Sequence, residues 1–426
     1  MVLNRVVITG LGVCAPNGTN IAEFTHAIQN GISGVQHQPE LEKLGFSCQI
    51  AAKPKLEEEL LQHYFTALEL KGLNSSGIVY GVIAGLDAWK DAGLAIAGED
   101  EPDWDSGAFF GTGTSGIDKF RWAINLIDDM QIRKLGSTVV AQTMASGVSA
   151  FISGKLGLGN QVTTNSSACA TGTESVLMAY EHIKFGKANR MLAGSTSDSG
   201  PYLWGGFDAM KVCTFKHNDE PARGSRPMSA TASGFVPGSG AGALVLESLA
   251  SATARNAKIY AEVLGGHINS GGQRALGTMT SPNPQGVQRC IRLAIANAGI
   301  AAADIDVING HLTATTKDAL EIENWKIALG ATADNFPYIN SLKGMIGHCI
   351  SASGSIECVA SVLQLSEDFI FPNINCEDLN PEISALISPN RIPRKLIKQP
   401  FNVLAKASFG FGDVNACVLF KKYKNG

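Results

Sequence analysis

Cys169 stands where a strand-like run gives way to a helical one, in the segment TTNSSACATGT at residues 163–173. Apolar residues recur at helical spacing just beyond it. A cysteine at a helix N-terminus meets unpaired backbone N–H groups and the positive end of the helix dipole, which favour a thiolate. Small neighbours leave room for a substrate. The pattern predicts a nucleophilic thiol, although most cysteines are simply small buried hydrophobic residues.

Two histidines and a glycine-flanked phenylalanine follow in the second half of the chain. His311 ends a strand-like run in the segment NGHLTAT, and His348 ends the segment SLKGMIGH. Phe411 lies in the tail segment ASFGFGDVN, where glycines permit positive φ angles and the close approach of a ligand. A single histidine at a strand end is more often structural than catalytic. The chemical interpretation therefore depends on these residues occurring together with Cys169.

The elements that must position these residues alternate between strand-like and helical runs. This alternation predicts an α/β protein with buried, largely parallel strands. A weak internal repeat relates residues 91–113 to 297–313, and the helix start at 170–173 to the one at 352–355. We expect a duplicated fold whose halves join near residues 252–258. The active groups would then lie where the N-termini of the two helices meet.

Composition excludes several classes of protein. The chain has 426 residues, of which 45% are hydrophobic and 17% charged, and its net charge is -4. This balance argues against a nucleic-acid-binding surface. There is no cleavable signal pattern and no uninterrupted apolar stretch long enough to span a membrane. The nine cysteines show no metal-binding spacing. We expect reduced thiols in a cytoplasmic protein without a metal site.

Taken together and in order, the motifs ACATG, His-x-Thr-x-Thr, Lys-x-x-x-x-His and Phe-Gly-Phe-Gly resemble one family. This family is the elongating β-ketoacyl-acyl-carrier-protein synthases of the thiolase superfamily, and the resemblance covers nearly the whole chain. It implies a thiolase-like duplicated five-layer α/β/α/β/α fold. Residues 1–255 would form the half that carries the nucleophilic cysteine, and residues 256–426 the half that carries both histidines.

The resemblance implies a decarboxylative Claisen condensation. An acyl group bound to the cysteine would react with a malonyl-acyl-carrier protein to give a β-ketoacyl thioester, in fatty-acid or specialised lipid or polyketide biosynthesis. The substrates would arrive on the phosphopantetheine of an acyl carrier protein, so no separate cofactor is expected. We expect a homodimer, with a heterodimer containing a second synthase-like chain as the other possibility.

The family's site residues carry over to matching positions of this chain. By resemblance, the catalytic residues are Cys169, His311 and His348; the supporting residues are Lys343, Asp318 and Glu321; the substrate- and pantetheine-binding residues are Thr313, Thr315, Gly410, Phe411 as a gate, and Thr114 at the acyl pocket. The backbone N–H groups of Cys169 and Phe411 are candidates for binding the oxyanion. For Lys343, a hydrogen-bond network and an ordinary salt bridge to Glu321 or Asp318 are both open.

Two other functions agree with parts of this pattern. A thiolase needs a second catalytic cysteine near the C-terminus, but Cys417 lies in a strand-like run and the expected position carries Phe-Gly-Phe-Gly. A catalytically silent subunit, or a chain-length partner in a heterodimer, would lack the nucleophile, whereas Cys169 is present with both histidines.

The chain departs from the family pattern at several positions. Leu312 replaces a glycine and is expected to narrow the malonyl entrance or reshape the pantetheine tunnel. Residues 228–233 and Ser239 replace charged residues, which should remove salt bridges near the site. Asp413 replaces a glycine and should stiffen the gate loop. These changes favour a specialised pathway. The candidate basic docking residues are Lys184, Lys187, Arg190, Lys211, Lys216, His217 and Arg223.

Overall fold

A computed structural model describes residues 3–424 of the chain. The strands are β1 (Val6–Cys14), β2 (Val35–His37), β3 (Ile50–Ala52), β4 (Ser106–Thr112), β5 (Val162–Thr163), β6 (Arg190–Ser197), β7 (Gly240–Ser248), β8 (Ala261–Ser270), β9 (Val307–Asn309), β10 (Tyr338–Asn340), β11 (Phe369–Ile370), β12 (Ile397–Lys398), β13 (Val403–Gly410) and β14 (Val414–Lys422). The helices are α1 (Ile21–Gln29), α2 (Pro39–Lys43), α3 (Glu58–Gln62), α4 (Ala67–Gly72), α5 (Ser76–Asp91), α6 (Ile117–Asp128), α7 (Thr138–Thr143), α8 (Gly147–Leu156), α9 (Thr171–Lys184), α10 (Pro201–Ala209), α11 (Leu249–Ala254), α12 (Pro284–Ala298), α13 (Asp318–Leu329), α14 (Lys343–Ile346), α15 (Ser353–Ser366) and α16 (Pro381–Leu386).

Ten of these strands pair in the order β10-β9-β13-β14-β8-β1-β7-β6-β4-β5. The two halves of this sheet repeat one pattern. In the first half, β4 pairs in parallel with β5 and β6, and β6, β7 and β1 follow antiparallel. In the second half, β9 pairs in parallel with β10 and β13, and β13, β14 and β8 follow antiparallel. The sheet is therefore mixed, and the expectation of largely parallel strands is wrong.

Within the ten-stranded sheet, the two halves join where Val6–Ile8 of β1 pair with Ala261–Val263 of β8. Helices α9 and α15 contact each other and strands of both halves, so they form a central layer between the two half-sheets. Helix α5 covers the outer face of the first half and α12 that of the second. The result is the duplicated five-layer arrangement. The largest hydrophobic core surrounds α9 and α15 and includes Val176, Leu177, Ile356 and Val359.

The two central helices begin in the same way. A 3-10 turn precedes each helix, Ala168–Ala170 before α9 and Ile350–Ala352 before α15. The first residue of each turn has a positive φ, 49° at Ala168 and 50° at Ile350. A Cβ atom on Gly354 would lie 2.6 Å from the backbone nitrogen of Thr173, so the helix N-termini approach each other closely. The small residues at these helix starts make the contact possible, as the repeated sequence pattern predicts.

All nine cysteines are free and buried. Across residues 3–424, no helix has the length and apolar character needed to cross a membrane.

Candidate active site

Cys169 lies in the 3-10 turn before α9 and lines a cavity of about 400 Å³. Burial raises the pKa of its thiol to about 11, and Glu357 adds to this. The charge of Lys343 and the backbone N–H groups of Phe411 and Cys169 act in the opposite direction. The expected thiolate is therefore not the resting form, because desolvation outweighs the favourable field at the helix N-terminus.

His348 lies between α14 and α15, and both of its side-chain hydrogen-bond partners contact the same ring nitrogen, Nδ1. The backbone N–H of Ile350 donates to Nδ1 at 3.1 Å, and Oγ of Ser353 lies 2.9 Å from the same atom. Because Nδ1 accepts a hydrogen bond from an N–H, the neutral ring carries its proton on Nε2. Burial lowers the pKa of His348 well below its ordinary value, and the charges of Lys343 and Lys406 lower it further.

His311 follows β9 in a loop that is fixed through its backbone. Glu321 accepts hydrogen bonds from the N–H groups of His311 at 2.6 Å and Leu312 at 2.7 Å. Within the described part of the chain, the buried Nδ1 atom of His311 has no hydrogen-bond partner. Burial lowers the pKa of His311 well below its ordinary value, followed by the charges of Lys343, His348 and Lys406. Both imidazoles are therefore neutral near pH 7.

The structure brings Cys169, His311 and His348 together. Sγ of the cysteine and a ring nitrogen of each histidine lie within 4.8 Å of one another. The two imidazole rings lie edge to face, with centroids 5.4 Å apart and planes at 84°. A metal ion could also use such a spacing, with loss of the thiol proton on binding. The arrangement equally fits a nucleophile flanked by two hydrogen-bonding imidazoles.

Aromatic and hydroxyl side chains form part of the cavity wall. Thr313 and Thr315 line it with their hydroxyl oxygens 3.1 Å apart. The half-buried Phe411 lies against Phe207, with ring centroids 6.2 Å apart. A Cβ atom on Gly410 would lie 3.1 Å from the backbone nitrogen of Cys169, so only glycine fits there without displacement.

Asp318 and Glu321 support the loop that carries His311 rather than pairing with Lys343. Asp318 accepts hydrogen bonds from the backbone N–H groups of Thr313 at 2.9 Å and Met228 at 2.8 Å. Burial raises the pKa of Asp318 to about 6 and that of Glu321 to about 7. The possible salt bridge from Lys343 to either carboxylate is therefore not formed.

Lys343 instead pairs with Glu357, which also contacts Lys406. Oε1 of Glu357 accepts a short hydrogen bond from Lys343. Its Oε2 lies 2.8 Å from Nζ of Lys406 in an ion pair. All three residues are at most 1% exposed. The structure therefore shows neither alternative as stated: Lys343 forms a salt bridge, but with Glu357 instead of Glu321 or Asp318.

Two residues with expected roles near the substrate lie away from the cavity wall. Thr114 is exposed and does not line the cavity, although its neighbour Gly113 lies close to Ser351. Leu312 is fully buried in the hydrophobic core of the second half. Its side chain therefore packs away from the cavity, and the expectation that it narrows the malonyl entrance is wrong; the alternative, a reshaped pantetheine tunnel, stays a prediction.

Asp413 connects the gate loop, residues 409–414, to the neighbouring segment 271–283 through hydrogen bonds. Its carboxylate accepts hydrogen bonds from the backbone N–H groups of Gln273 at 2.9 Å and Asn283 at 2.8 Å. Its backbone carbonyl accepts another from Gly271, and the N–H of Gly412 donates to the carbonyl of Met279. These contacts support the expectation that Asp413 stiffens the loop.

The polar stretch 228–233 does not lack ionic contacts. Asp378 pairs with Arg226 at 2.8 Å and accepts hydrogen bonds from the hydroxyl groups of Ser229 and Thr231, both at 2.7 Å. The stretch itself contributes hydroxyl donors, and the ion pair beside it joins two residues outside it, so the expected loss of salt bridges stays a prediction. Ser239 is fully buried.

The candidate basic docking residues fall into separate groups. Lys184 ends α9, a helix of 14 residues, and so lies about 21 Å from the helix end next to Cys169. Arg190 follows it and pairs with Asp103. These residues and Lys187 are too remote to surround the cavity. Lys211 flanks Val212, which lines the cavity, and Lys317 is an exposed cavity residue that the sequence analysis missed.

Glu357 and Lys406 are buried charged residues beside the site that belong to none of the sequence motifs. Each is the single charged residue of an otherwise uncharged element, α15 for Glu357 and β13 for Lys406. Because a lone charge in a buried segment requires a partner, this pattern is a usable sequence signal. Phe207 and Phe235 were also missed, and they have no comparable signature.

The comparisons with known proteins agree with this geometry. Residues 3–252 match the family "Beta-ketoacyl synthase, N-terminal domain", and residues 260–377 match "Beta-ketoacyl synthase, C-terminal domain". The chain is 32% identical to 3-oxoacyl-[acyl-carrier-protein] synthase 2 of Vibrio harveyi, over 98% of each chain.

Solved structures give the same result. A β-ketoacyl synthase from Burkholderia phymatum STM815 is 28% identical, with a TM-score of 0.88 over 99% of this chain and 100% of the other. The ketosynthase of a type II polyketide system, solved with its acyl-carrier protein, is 27% identical, with a TM-score of 0.86 and the same coverage. Since both halves match and the likeness extends over the full length, this chain belongs to the β-ketoacyl synthase family.

Proposed function

We propose that this protein catalyses the decarboxylative Claisen condensation of an acyl group on Cys169 with a malonyl thioester carried by an acyl carrier protein. The observation that carries the proposal is the convergence of one thiol and two neutral imidazoles within 4.8 Å, at the wall of one cavity. A thiol supplies the nucleophile for thioester exchange, and neutral imidazoles supply hydrogen-bond donors without a competing charge.

The first step transfers the acyl group. Sulfur of Cys169 attacks the carrier thioester and loses its proton, the tetrahedral intermediate collapses with cleavage of the carrier C–S bond, and the departing carrier thiolate takes up that proton to leave as a thiol. The backbone N–H groups of Cys169 and Phe411 lower the pKa of the thiol, which supports their role as donors to the oxyanion that forms beside the sulfur. The charge of Lys343 assists loss of the thiol proton.

The second step forms the new carbon–carbon bond. The bond between the malonyl carboxylate and C2 breaks, carbon dioxide leaves, and the electron pair delocalises onto the thioester oxygen as an enolate. Nε2–H of His348 and an N–H of His311 donate to this oxygen. C2 then attacks the acyl carbonyl on Cys169, and the cysteine thiolate leaves as the β-ketoacyl thioester forms.

The substrate-binding roles are those that the family resemblance implies, and the position of these side chains at the cavity wall supports them. Thr313 and Thr315 contact the phosphopantetheine arm, and Phe411 with Gly410 gates passage between the acyl and malonyl positions. Lys343, Asp318 and Glu321 hold the histidine-bearing segments. Because the substrates arrive on the carrier, no further cofactor is proposed.

We propose a dimer and a cytoplasmic location, with residues 1–255 and 256–426 as the duplicated halves. Large apolar side chains are exposed on and after α6, including Trp122, Ile124 and Ile127, and β5 forms an open edge of the sheet. A second copy, or another synthase-like chain, would cover this surface. Light scattering of the purified protein separates a monomer from a dimer.

Intact mass spectrometry tests the reaction. The protein is exposed to a panel of acyl-carrier thioesters, and the expected result is one added acyl group that is absent in Cys169→Ala and retained in Cys417→Ala. Subsequent addition of malonyl-carrier should discharge the acyl group as a β-ketoacyl product. Labelling that persists in Cys169→Ala would contradict the assignment. Failure of Cys169 to load, together with co-purification of a second synthase-like chain, would favour the silent-partner alternative.

A further inference from the structure

Lys406 is a buried lysine on β13, directly behind the candidate active site. Alternate residues of a strand share a face, so Lys406, Ser408 and Gly410 point the same way. Gly410 packs against the backbone of Cys169. Oγ of Ser408 lies 3.0 Å from Nζ of Lys406 and 2.9 Å from Oγ1 of Thr173 on α9. The ammonium group therefore lies on the face of the strand that packs against the cysteine-bearing turn.

The charges in this region do not cancel. Glu357 has one carboxylate, and it binds Lys343 through Oε1 and Lys406 through Oε2. One carboxylate compensates one ammonium group, so the three ionised side chains carry a net charge of about +1 in an interior that screens it weakly. The same residues without Lys406 would form a neutral pair.

Several titratable groups face this charge from the surrounding elements. They are Lys343 on α14, Glu357 and Cys358 on α15, Cys417 on β14, Cys169 before α9, and the two histidines His311 and His348. Beyond the effect of burial, Lys343 lowers the pKa of Cys169, whereas Glu357 raises it. Lys406 compensates part of the charge of Glu357 through Oε2. Glu357 therefore offsets less of the effect of Lys343 on the sulfur of Cys169.

We propose that Lys406 is a positioning residue of the condensation site, which binds one oxygen of Glu357 and so leaves the charge of Lys343 uncompensated toward Cys169. The resulting field favours each anion that the proposed reaction generates: the thiolate, the oxyanion and the enolate. The role of Lys406 in condensation rests on the proposed function. Its effect on the charge near Cys169 does not depend on any substrate.

The test measures alkylation of Cys169 by iodoacetamide, followed at the peptide level as a function of pH. Lys406→Met leaves a neutral Lys343–Glu357 pair, and alkylation at pH 8 should become about threefold to tenfold slower. Lys406→Arg restores the charge and should recover most of the rate. Lys422→Met, which removes a lysine paired with Asp368 near the surface, is the matched control and should alkylate at the rate of the unmodified protein.

A double variant separates charge from packing. Lys406→Met combined with Glu357→Gln restores a net charge of about +1 on Lys343 alone, so alkylation should become faster than in Lys406→Met. A purely structural role predicts a further loss in the double variant, and this result, or an unchanged rate in Lys406→Met, would overturn the proposal. If Lys406→Met does not fold, Lys406→Gln has the same charge and the same expected results.

Alkylation needs no acyl substrate. The experiment can therefore contradict the proposed role of Lys406 without contradicting the proposed condensation, and the reverse. A normal alkylation series in a protein that never loads an acyl group would contradict the proposed function alone. Slower condensation at an unchanged KM in Lys406→Met, together with slower alkylation, would support both.

Discussion

The backbone N–H of Ile350 donates a hydrogen bond of 3.1 Å to Nδ1 of His348. This contact lies in the turn that starts α15, so the helix start determines which ring nitrogen carries the proton. The nitrogen that remains free to donate is Nε2. The tautomer of the second histidine is thus fixed by backbone geometry and does not depend on a carboxylate partner.

The tautomer of His348 is directly observable. Because burial and the charges of Lys343 and Lys406 lower the pKa of His348, the ring should remain neutral from pH 6 to pH 8. Nitrogen-15 NMR of selectively labelled protein should show a protonated Nε2 and an unprotonated Nδ1 across that range. A ring that titrates near its ordinary value would contradict this.

Replacing His348 should separate the two half-reactions. His348→Ala removes a donor to the enolate but leaves the oxyanion donors of Cys169 and Phe411 in place. Acyl loading should persist, while decarboxylation of malonyl-carrier should fall about 10²–10³-fold. The exposed His63→Ala serves as a control with unchanged rates. Equal losses in both half-reactions would assign His348 to the first step as well.

The reactivity of Cys169 should depend steeply on pH. Since burial raises the pKa of the thiol to about 11, the thiolate fraction grows about tenfold per pH unit below that value. Alkylation of the unliganded protein should therefore accelerate from pH 7 to pH 10 without a plateau. A plateau reached near pH 7 would show that the thiolate is the resting form.

Glu321 should link stability to pH. Burial raises its pKa to about 7, so between its ordinary value and about 7 the folded state binds a proton more tightly than the unfolded state. This contribution is present at low pH and is lost as the pH rises through about 7. Glu321→Gln should flatten the pH profile of the free energy of unfolding and destabilise the His311 loop by about 1–3 kcal/mol.

The neighbouring exposed Glu323→Gln is the matched control for that measurement. Denaturant unfolding at several pH values should leave the profile of this variant unchanged. An equal effect of the two substitutions would mean that the buried carboxylate has no special role.

Asp413 should restrain the gate loop. Asp413→Gly removes the acceptor of two backbone N–H groups, which should cost about 1–3 kcal/mol for each donor left unsatisfied. Hydrogen exchange should accelerate in residues 271–283 and 409–414, whereas Asp413→Asn, which keeps one acceptor oxygen, should show a smaller change. Unchanged exchange in both variants would show that the loop is held by other contacts.

Local patterns in the sequence pointed to Cys169, whereas His311 and His348 were assigned their roles through the resemblance to the β-ketoacyl synthases. Cys169 and the start of α15 lie at strand-to-helix junctions, which periodicity and small residues reveal directly. The matching halves of the fold follow from the same local repeat. The mixed direction of the strands was not predicted, because strand direction depends on pairings between distant segments.

The features that the sequence did not reveal share a physical origin. The partner of Lys343 is on another helix, and the acceptor role of Asp413 involves N–H groups 130 and 140 residues away. The side chain of Leu312 points into the core, which its position next to His311 does not reveal. The high pKa of Cys169 follows from desolvation by the whole fold. Contacts and burial of this kind cannot be deduced from neighbouring residues in the sequence.

The central layer of α9 and α15 has a consequence for how this protein can evolve and be engineered. Each helix belongs to one half of the chain but fills its core together with the other. A fragment cut at residue 255 would leave that interior open to water, so separately expressed halves should aggregate unless they are produced together. Productive chimaeras between homologous synthases should therefore exchange the two central helices as a matched pair.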